Sequence, residues 1–289
     1  MMNTRTLLTT YGTTCSTIVL ALTSTFASAQ TGWTLEKLNR AMKESGRPVE
    51  FFQATFDSVQ ERRKAALTRT EKYLDQRFGK ADPAVLKAFA EIPREYYHYH
   101  HAERRSFAKD AWDPESKPWA VGYGSALSDY LGQAYMTQAA KVTPDSTVLE
   151  IGTGSGFQSS IMGKLAKKVY SIEILEPLGK SVANMYKPLG YDNITTKVGD
   201  GFFGWPEVEG GFDVIIVTCA AQYVPPALFK QLKPGGRLLI PIGQPFKRDQ
   251  FLYIYTKGAD GKVTSKKDIG MYFIPFTGTM MKQPKPAGV

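Results

Sequence analysis

Apolar residues recur at three- to four-residue steps between Phe51 and Phe78 (Phe56, Val59, Ala66, Leu67, Leu74, Phe78), the spacing of a helix with one buried face. The opposite face carries Arg62, Arg63, Lys64, Arg69, Lys72 and Arg77 and reads as solvated. A shorter helix precedes it, capped by Thr34, running to about Glu44 and ended by Gly46 and Pro48. Asp82 and Pro83 then supply a cap and a first-turn proline for a third helix, which carries Val85, Leu86 and Phe89 and stops before Pro93.

From Thr147 the pattern changes to short apolar runs alternating with helical periodicity. Strands are expected over Val148–Ile151, Val169–Ile174, Ile194–Val198, Asp213–Thr218 and Arg237–Ile242. Helices are expected over Gln158–Lys168, Pro177–Leu189 (ending at Gly190) and Pro225–Leu232. Such alternation implies βαβ units and a parallel sheet covered by helices on both faces. Phe251–Thr256 and Lys262–Met271 flank Gly258-Ala259-Asp260-Gly261 and read as a terminal antiparallel hairpin. Residues 283–289 form a Pro- and Lys-bearing tail that reads as mobile. The fold class is therefore α/β, a Rossmann-like sheet with a terminal hairpin. Residues 30–80 form a helical extension and 81–289 the main domain.

Residues 1–29 carry a different message. A short basic start ending at Arg5, an apolar stretch from Leu7 to Phe26 and Ala27-Ser28-Ala29 describe a secretory signal, with cleavage before Gln30. Export, to a periplasm, is the expected destination if the signal is used, and no later stretch is apolar enough to span a bilayer. Cleavage removes Cys15 and leaves Cys219 as the single thiol, so a disulfide framework is not expected.

Composition narrows the class further. The 289 residues include 43% hydrophobic and 22% charged side chains, near the globular average, which excludes a disordered or collagen-like chain. The net charge of +9 is spread along the chain rather than gathered in a basic tail, so no nucleic-acid partner is indicated.

The strongest local signal is Val148-Leu-Glu-Ile-Gly-Thr-Gly-Ser-Gly156, in which Gly152, Gly154 and Gly156 follow a strand and open a helix. Glycines there let the backbone turn sharply and approach a ligand, while the helix N-terminus offers free N–H groups. The dinucleotide spacing G-x-G-x-x-G is not met: counted from Gly152 its third glycine falls on Phe157, and counted from Gly154 on Ser159. A G-x-G-x-G turn after Glu150 suits an adenosyl ligand without a pyrophosphate. Glu173 ends the next strand, roughly 20 residues on, where an acid binds ribose hydroxyls. Asp200, in Val198-Gly-Asp-Gly201, stands after the third strand, where it can accept from an adenine amino group.

With these residues in view, the sequence resembles the protein-L-isoaspartate O-methyltransferases, which use S-adenosylmethionine. The resemblance runs from about Ala84 to Gly278. It rests on Val85–Glu95, Val148–Gly156, Val169–Glu173, Leu189–Asn193, Val198–Gly201, Phe212–Thr218, Leu232–Pro241 and Phe273–Gly278. It implies methyl transfer to the carboxylate of L-isoaspartyl (D-aspartyl) residues in damaged proteins, by a monomer acting on protein or peptide. It also implies cofactor contacts from Glu150, Gly152, Thr153, Gly154, Gly156, Glu173, Asp200 and Gly201. Ser128 would orient the acceptor, and Ser125, Ala126, Ile274, Pro275 and Thr277 would meet the peptide.

One segment departs from the family. Where the family reads roughly I-G-x-G-Q-T-I-S-Q-P, this chain has Val121-Gly-Tyr-Gly-Ser-Ala-Leu-Ser-Asp-Tyr130. Thr has become Ala126, Gln has become Ser125, and Asp129 adds a carboxylate that would repel an anionic acceptor unless turned away. This change and the export signal leave two alternatives, an exported binding module of the same fold or a methyltransferase for another acceptor. Residues 102–119, which carry Trp112 and Trp119, read as an inserted surface loop. His98, His100 and His101 lack the i, i+4 spacing of a helical zinc pair and read as aromatic packing, so no metal is expected.

Overall fold

A computed structural model describes residues 32–283; the signal-like residues 1–29 and all but the first residue of the tail lie outside them. Three helices come first: α1 (Leu35–Glu44), α2 (Gln53–Phe78) and α3 (Pro83–Glu91). The two N-caps are those the sequence predicts. Thr34 accepts from the Lys37 amide, Asp82 accepts from the Ala84 amide, and Gly79 closes α2 in the left-handed region.

Two small hairpins follow, β1 (Tyr99–His100) with β2 (Arg105–Ser106) and β3 (Trp119–Gly122) with β4 (Ser125–Leu127). Next comes α4 (Tyr130–Ala140), a helix the sequence reading does not anticipate. Its residues are buried on nearly every side, including Gln133, Ala134, Tyr135, Met136, Thr137, Ala139 and Ala140, so no amphipathic stripe marks it. The one local signal is Asp129, whose carboxylate caps the Gly132 amide at 2.7 Å.

The remaining chain alternates as expected. It runs β5 (Thr147–Ile151), α5 (Phe157–Leu165), β6 (Lys168–Glu173), α6 (Glu176–Ala183), β7 (Ile194–Val198), β8 (Phe212–Val217), α7 (Pro226–Gln231) and β9 (Leu232–Ile242). The antiparallel pair β10 (Gln250–Lys257) and β11 (Val263–Met271) and the short α8 (Thr279–Lys282) close the chain. One sheet of seven strands has the order β11-β10-β9-β8-β5-β6-β7, parallel from β9 to β7 and antiparallel at β9-β10-β11. The central strands alternate between two cores. Leu149, Ile151, Ile215 and Val217 face Phe202, Trp205 and Tyr223, whereas Val148, Val214 and Ile216 face Tyr135, Met136 and Met162.

Four expectations are corrected. The helix expected to run from Pro177 to Leu189 stops at Ala183, and a separate 3-10 turn covers Lys187–Leu189; Pro188 has no N–H to continue the ladder. The strand expected from Arg237 begins at Leu232. Arg63 is not on a solvated face: it is 2% exposed, donates to Gln60, and lies near Glu95. Residues 102–119 are more than a surface loop, because Trp112 is fully buried between the Arg94 and Arg63 guanidinium groups and the Tyr130 ring. The helical extension packs onto the main domain. Leu38, Met42, Val59 and Leu74 share one cluster with Phe89, Phe157, Leu178 and Val182.

Candidate active site

The glycine turn leaves β5 at the carboxyl edge of the sheet. Gly152 and Thr153 both donate to the Ile172 carbonyl, at 2.9 and 3.1 Å, which pins the turn to the end of β6. Gly152 has φ +98°, and a Cβ on it would lie 2.8 Å from Thr218 Oγ1, a hydroxyl that already donates to the Ile151 and Gly152 carbonyls. Gly156 opens α5 at φ +84°, packed so closely on Val182 and Tyr186 that a side chain has no room.

Two buried acids frame the turn. Glu173 at the end of β6 accepts from the Gly154 amide at 2.8 Å and from the Leu175 amide at 3.0 Å. Burial raises its pKa, and these amides oppose the rise. Glu150, fully buried, accepts from the Ser159 and Ser171 hydroxyls on one oxygen; its other oxygen, Oε1, has no partner among the described residues. Burial pushes the Glu150 carboxyl up to about 8, with the charge of Glu173 adding to the rise. At neutral pH Glu150 therefore carries a proton, while Glu173 sits among donors that favour its charge.

A cavity of about 400 Å³ lies over this turn. Its floor is Glu150, Gly152, Thr153, Gly154, Glu173 and Gly201. The β3–β4 hairpin forms one side through Ser125, Ala126 and Ser128, and Ile274, Pro275 and Thr277 form another. The hairpin turns at Tyr123 and Gly124, both at positive φ, and pairs Ala120 with Ala126. Residues 273–276 are stitched to the sheet edge: Ala220 donates to Ile274, Phe276 donates to Ala220, and the buried Gln250 side chain bonds both backbone groups of Phe273. The fold thus gathers around one cavity twelve of the fourteen site residues that the sequence singles out.

 The two outside it are Gly156 and Asp200; Cys219, buried and not among the fourteen, also lines the cavity.

Asp200 has a different set of contacts. One carboxylate oxygen accepts from the Phe202 amide at 2.9 Å and the other from the Thr279 amide at 2.7 Å, so it ties the end of β7 to the start of α8. Asp129 is turned away from the cavity, accepting from Gly132 and from the Ser116 hydroxyl. The feared repulsion of an anionic acceptor is therefore removed by the cap of α4. Gln133, Met136 and Gln158 also line the wall and carry no motif in sequence, because the helices that bring them there are set by packing. Phe246 and Met281 stand at the mouth, 71% and 47% exposed.

The histidines form no site. His98 packs on Trp119, and His101 shares a hydrogen bond with Ser181 at 2.7 Å. Among the described residues no group of three or more His, Cys, Asp or Glu is placed to hold a metal ion. Cys219 is an inert thiol, since burial raises its pKa strongly, with Glu173 and Glu150 adding to the rise.

Comparison with known proteins points one way. Residues 63–281 match the profile of the protein-L-isoaspartate(D-aspartate) O-methyltransferase family. A protein-L-isoaspartate O-methyltransferase of Nitrosospira multiformis is 48% identical over 161 residues, covering 56% of this chain and 67% of the relative. One from Syntrophobacter fumaroxidans is 42% identical over 205 residues, covering 70% and 79%. A solved protein-L-isoaspartate O-methyltransferase superposes with TM-score 0.64 at 26% identity, covering 75% of this chain and 67% of the other. A structure from Plasmodium falciparum, assigned to the same enzyme and holding S-adenosyl-L-homocysteine, shares the fold at TM-score 0.59 and 21% identity, covering 74% and 97%.

Proposed function

The chain belongs to the protein-L-isoaspartate(D-aspartate) O-methyltransferase family, and from that premise we propose how its own residues carry the reaction: methyl transfer from S-adenosylmethionine to the carboxylate of L-isoaspartyl (D-aspartyl) residues in proteins. The observation that carries this reading is the single cavity in which the glycine turn, Glu173 and the Ser128 strap meet.

The residues present fit the cofactor. Glu150 Oε1 is a buried oxygen without a partner among the described residues, on the cavity floor, free to hydrogen-bond a polar group of the cofactor. Gly154 has no side chain to fill the space in front of Ser125 and Ala126. When bound, S-adenosylmethionine supplies an electrophilic methyl group on a sulfonium. Glu150, Gly152, Thr153, Gly154 and Gly201 line its seat, and Glu173 is placed for the ribose. Gly156 and Asp200 act one step back, by shaping the start of α5 and the loop after β7.

The acceptor side needs no strong base, because an ionised carboxylate is itself the nucleophile. No histidine lies on the wall among the described residues, and the Cys219 thiol stays protonated. The work of the chain is positioning: the acceptor oxygen must be held in line with the methyl carbon and its leaving sulfur. Ser128 is the hydroxyl offered for that purpose, with Ser125, Ala126, Ile274, Pro275 and Thr277 around the peptide.

Calorimetry with S-adenosyl-L-homocysteine and a methyl-transfer assay on an isoaspartyl peptide test the reading together. Wild type is expected to bind and to turn over. Ser128→Ala is expected to lower kcat about tenfold through the loss of one hydrogen bond to a charged acceptor, with product affinity unchanged. Ala126→Thr, which returns a hydroxyl to the strap, is expected to hold or raise kcat. Cofactor binding with no transfer to the peptide would instead establish the binding module or another acceptor.

Export remains part of the proposal. No helix among the described residues is long and apolar enough to cross a membrane. N-terminal sequencing of the native protein is expected to begin at Gln30; an intact Met1 removes the export assignment.

A further inference from the structure

Arg94 follows α3 by way of Pro93, in a 3-10 turn (Arg94–Tyr96) that sends its side chain inward. It is 1% exposed, and among the described residues it makes no ion pair. A guanidinium so placed is costly unless its donors are used and its charge has a purpose. The donors are used. Nε bonds the Ala111 carbonyl at 2.9 Å, Nη1 bonds Gln133 Oε1 at 2.7 Å, and Nη2 bonds the Ser128 carbonyl at 2.6 Å. The plane lies 4.8 Å from the ring of Phe157, the first residue of the helix that the glycine turn opens.

These contacts join the pieces of the acceptor side. Ala111 belongs to the segment anchored by Trp112, Ser128 to the strap, and Gln133 to α4; Ser128 and Gln133 both line the cavity. The titratable groups facing Arg94 are Asp129 and Tyr130 at the start of α4, and His98, whose protonation burial and Arg94 both oppose. Asp129 is already engaged by Gly132 and Ser116. Burial lowers the Arg94 pKa to about 9, so the side chain remains a cation at neutral pH.

Building on the reading above, we propose that Arg94 is the positioning residue of the acceptor side. It fixes Ser128 and Gln133 relative to the glycine turn, and its buried charge supplies the positive potential that draws a substrate carboxylate to the cavity. The arrangement also accounts for an isoaspartyl strap that has lost the family threonine at Ala126. The strap is held from behind by its backbone carbonyl, independent of the side chains it shows to substrate.

Steady-state kinetics with an isoaspartyl peptide, calorimetry with S-adenosyl-L-homocysteine and thermal melts of the full chain test this. Arg94→Met is expected to raise KM for the peptide about tenfold, through lost attraction, and to lower kcat about tenfold, through a displaced strap. Product affinity should stay within about threefold of wild type, because Glu173 and Ile172, not Arg94, hold the glycine turn. Arg94→Lys keeps the charge but not the three-way fork, so it is expected to restore KM and leave kcat low. If Arg94→Met does not melt cooperatively, Arg94→Lys and Gln133→Met decide: both should show lowered kcat with near-native KM. Unchanged kinetics in folded variants overturn the inference alone, as does a loss of product affinity that parallels the rise in KM. A wild type that never methylates the peptide overturns the functional reading, and this inference with it.

Discussion

Glu173→Ala is expected to weaken binding of S-adenosyl-L-homocysteine by at least about a hundredfold, and with it to remove methyl transfer at ordinary cofactor levels. The carboxylate does two things at once. It receives the Gly154 and Leu175 amides, and it stands on the cavity floor where the ribose is proposed to lie. Each hydrogen bond to a charged acceptor contributes about 1.5–3 kcal/mol, so losing two of them leaves the turn without its clamp. Glu173→Gln keeps the volume but not the charge and should fall between wild type and alanine. Calorimetry reads the affinity, and a cooperative melt near that of wild type separates lost binding from lost folding. A dissociation constant within a few-fold of wild type in a folded Glu173→Ala protein would remove this residue from the cofactor site.

The second large effect is a pH dependence of stability centred on Glu150. Its folded pKa, about 8, lies above the ordinary value of 4.5. Below pH 4.5 folded and unfolded chains both carry the proton. Between 4.5 and about 8 only the folded state keeps it, so stability falls as pH rises and the loss is complete above the folded pKa. Between pH 6 and 9 the contribution amounts to about 3 kcal/mol. Glu150→Gln copies the protonated form: its carbonyl can accept from Ser159 and Ser171, and its amide takes the place of the unpartnered oxygen. Denaturant unfolding at the two pH values is expected to show a stability difference smaller by about that amount in the glutamine variant. Equal pH slopes in the two proteins would mean that Glu150 is ionised in the folded state.

Much of this site was legible before any coordinates. The G-x-G-x-G turn after Glu150, Glu173 at the following strand end and the Phe273–Gly278 segment are local patterns, and local patterns survive in a linear reading. So do the caps at Thr34 and Asp82, each set within a few residues of its helix. For α4, Arg63 and Asp129, where the reading failed, the cause was non-local. α4 is buried all round and shows no stripe. Arg63 looks like one more cation on a basic helix face until Glu95 and Trp112 come to lie against it. The role of Asp129 could not be assigned from its place in the strap, because the same carboxylate is either a repulsive neighbour of the substrate or a helix cap. Only the start of α4 decides in favour of the cap.

The sequence by itself determined the alternation of strands and helices, the glycine turn and the two acids that frame it, since these follow from periodicity and from residue types at fixed spacing. The tertiary structure alone decided that Asp200 accepts from the Thr279 amide, that Trp112 anchors an apparent surface loop, and that Arg94 stands behind Ser128. The physical reason is the same for all three. A hydrogen bond or a buried ring is satisfied by whatever group the fold brings within about 3 Å, and partners 17 to 79 residues apart leave no mark on the spacing of the chain.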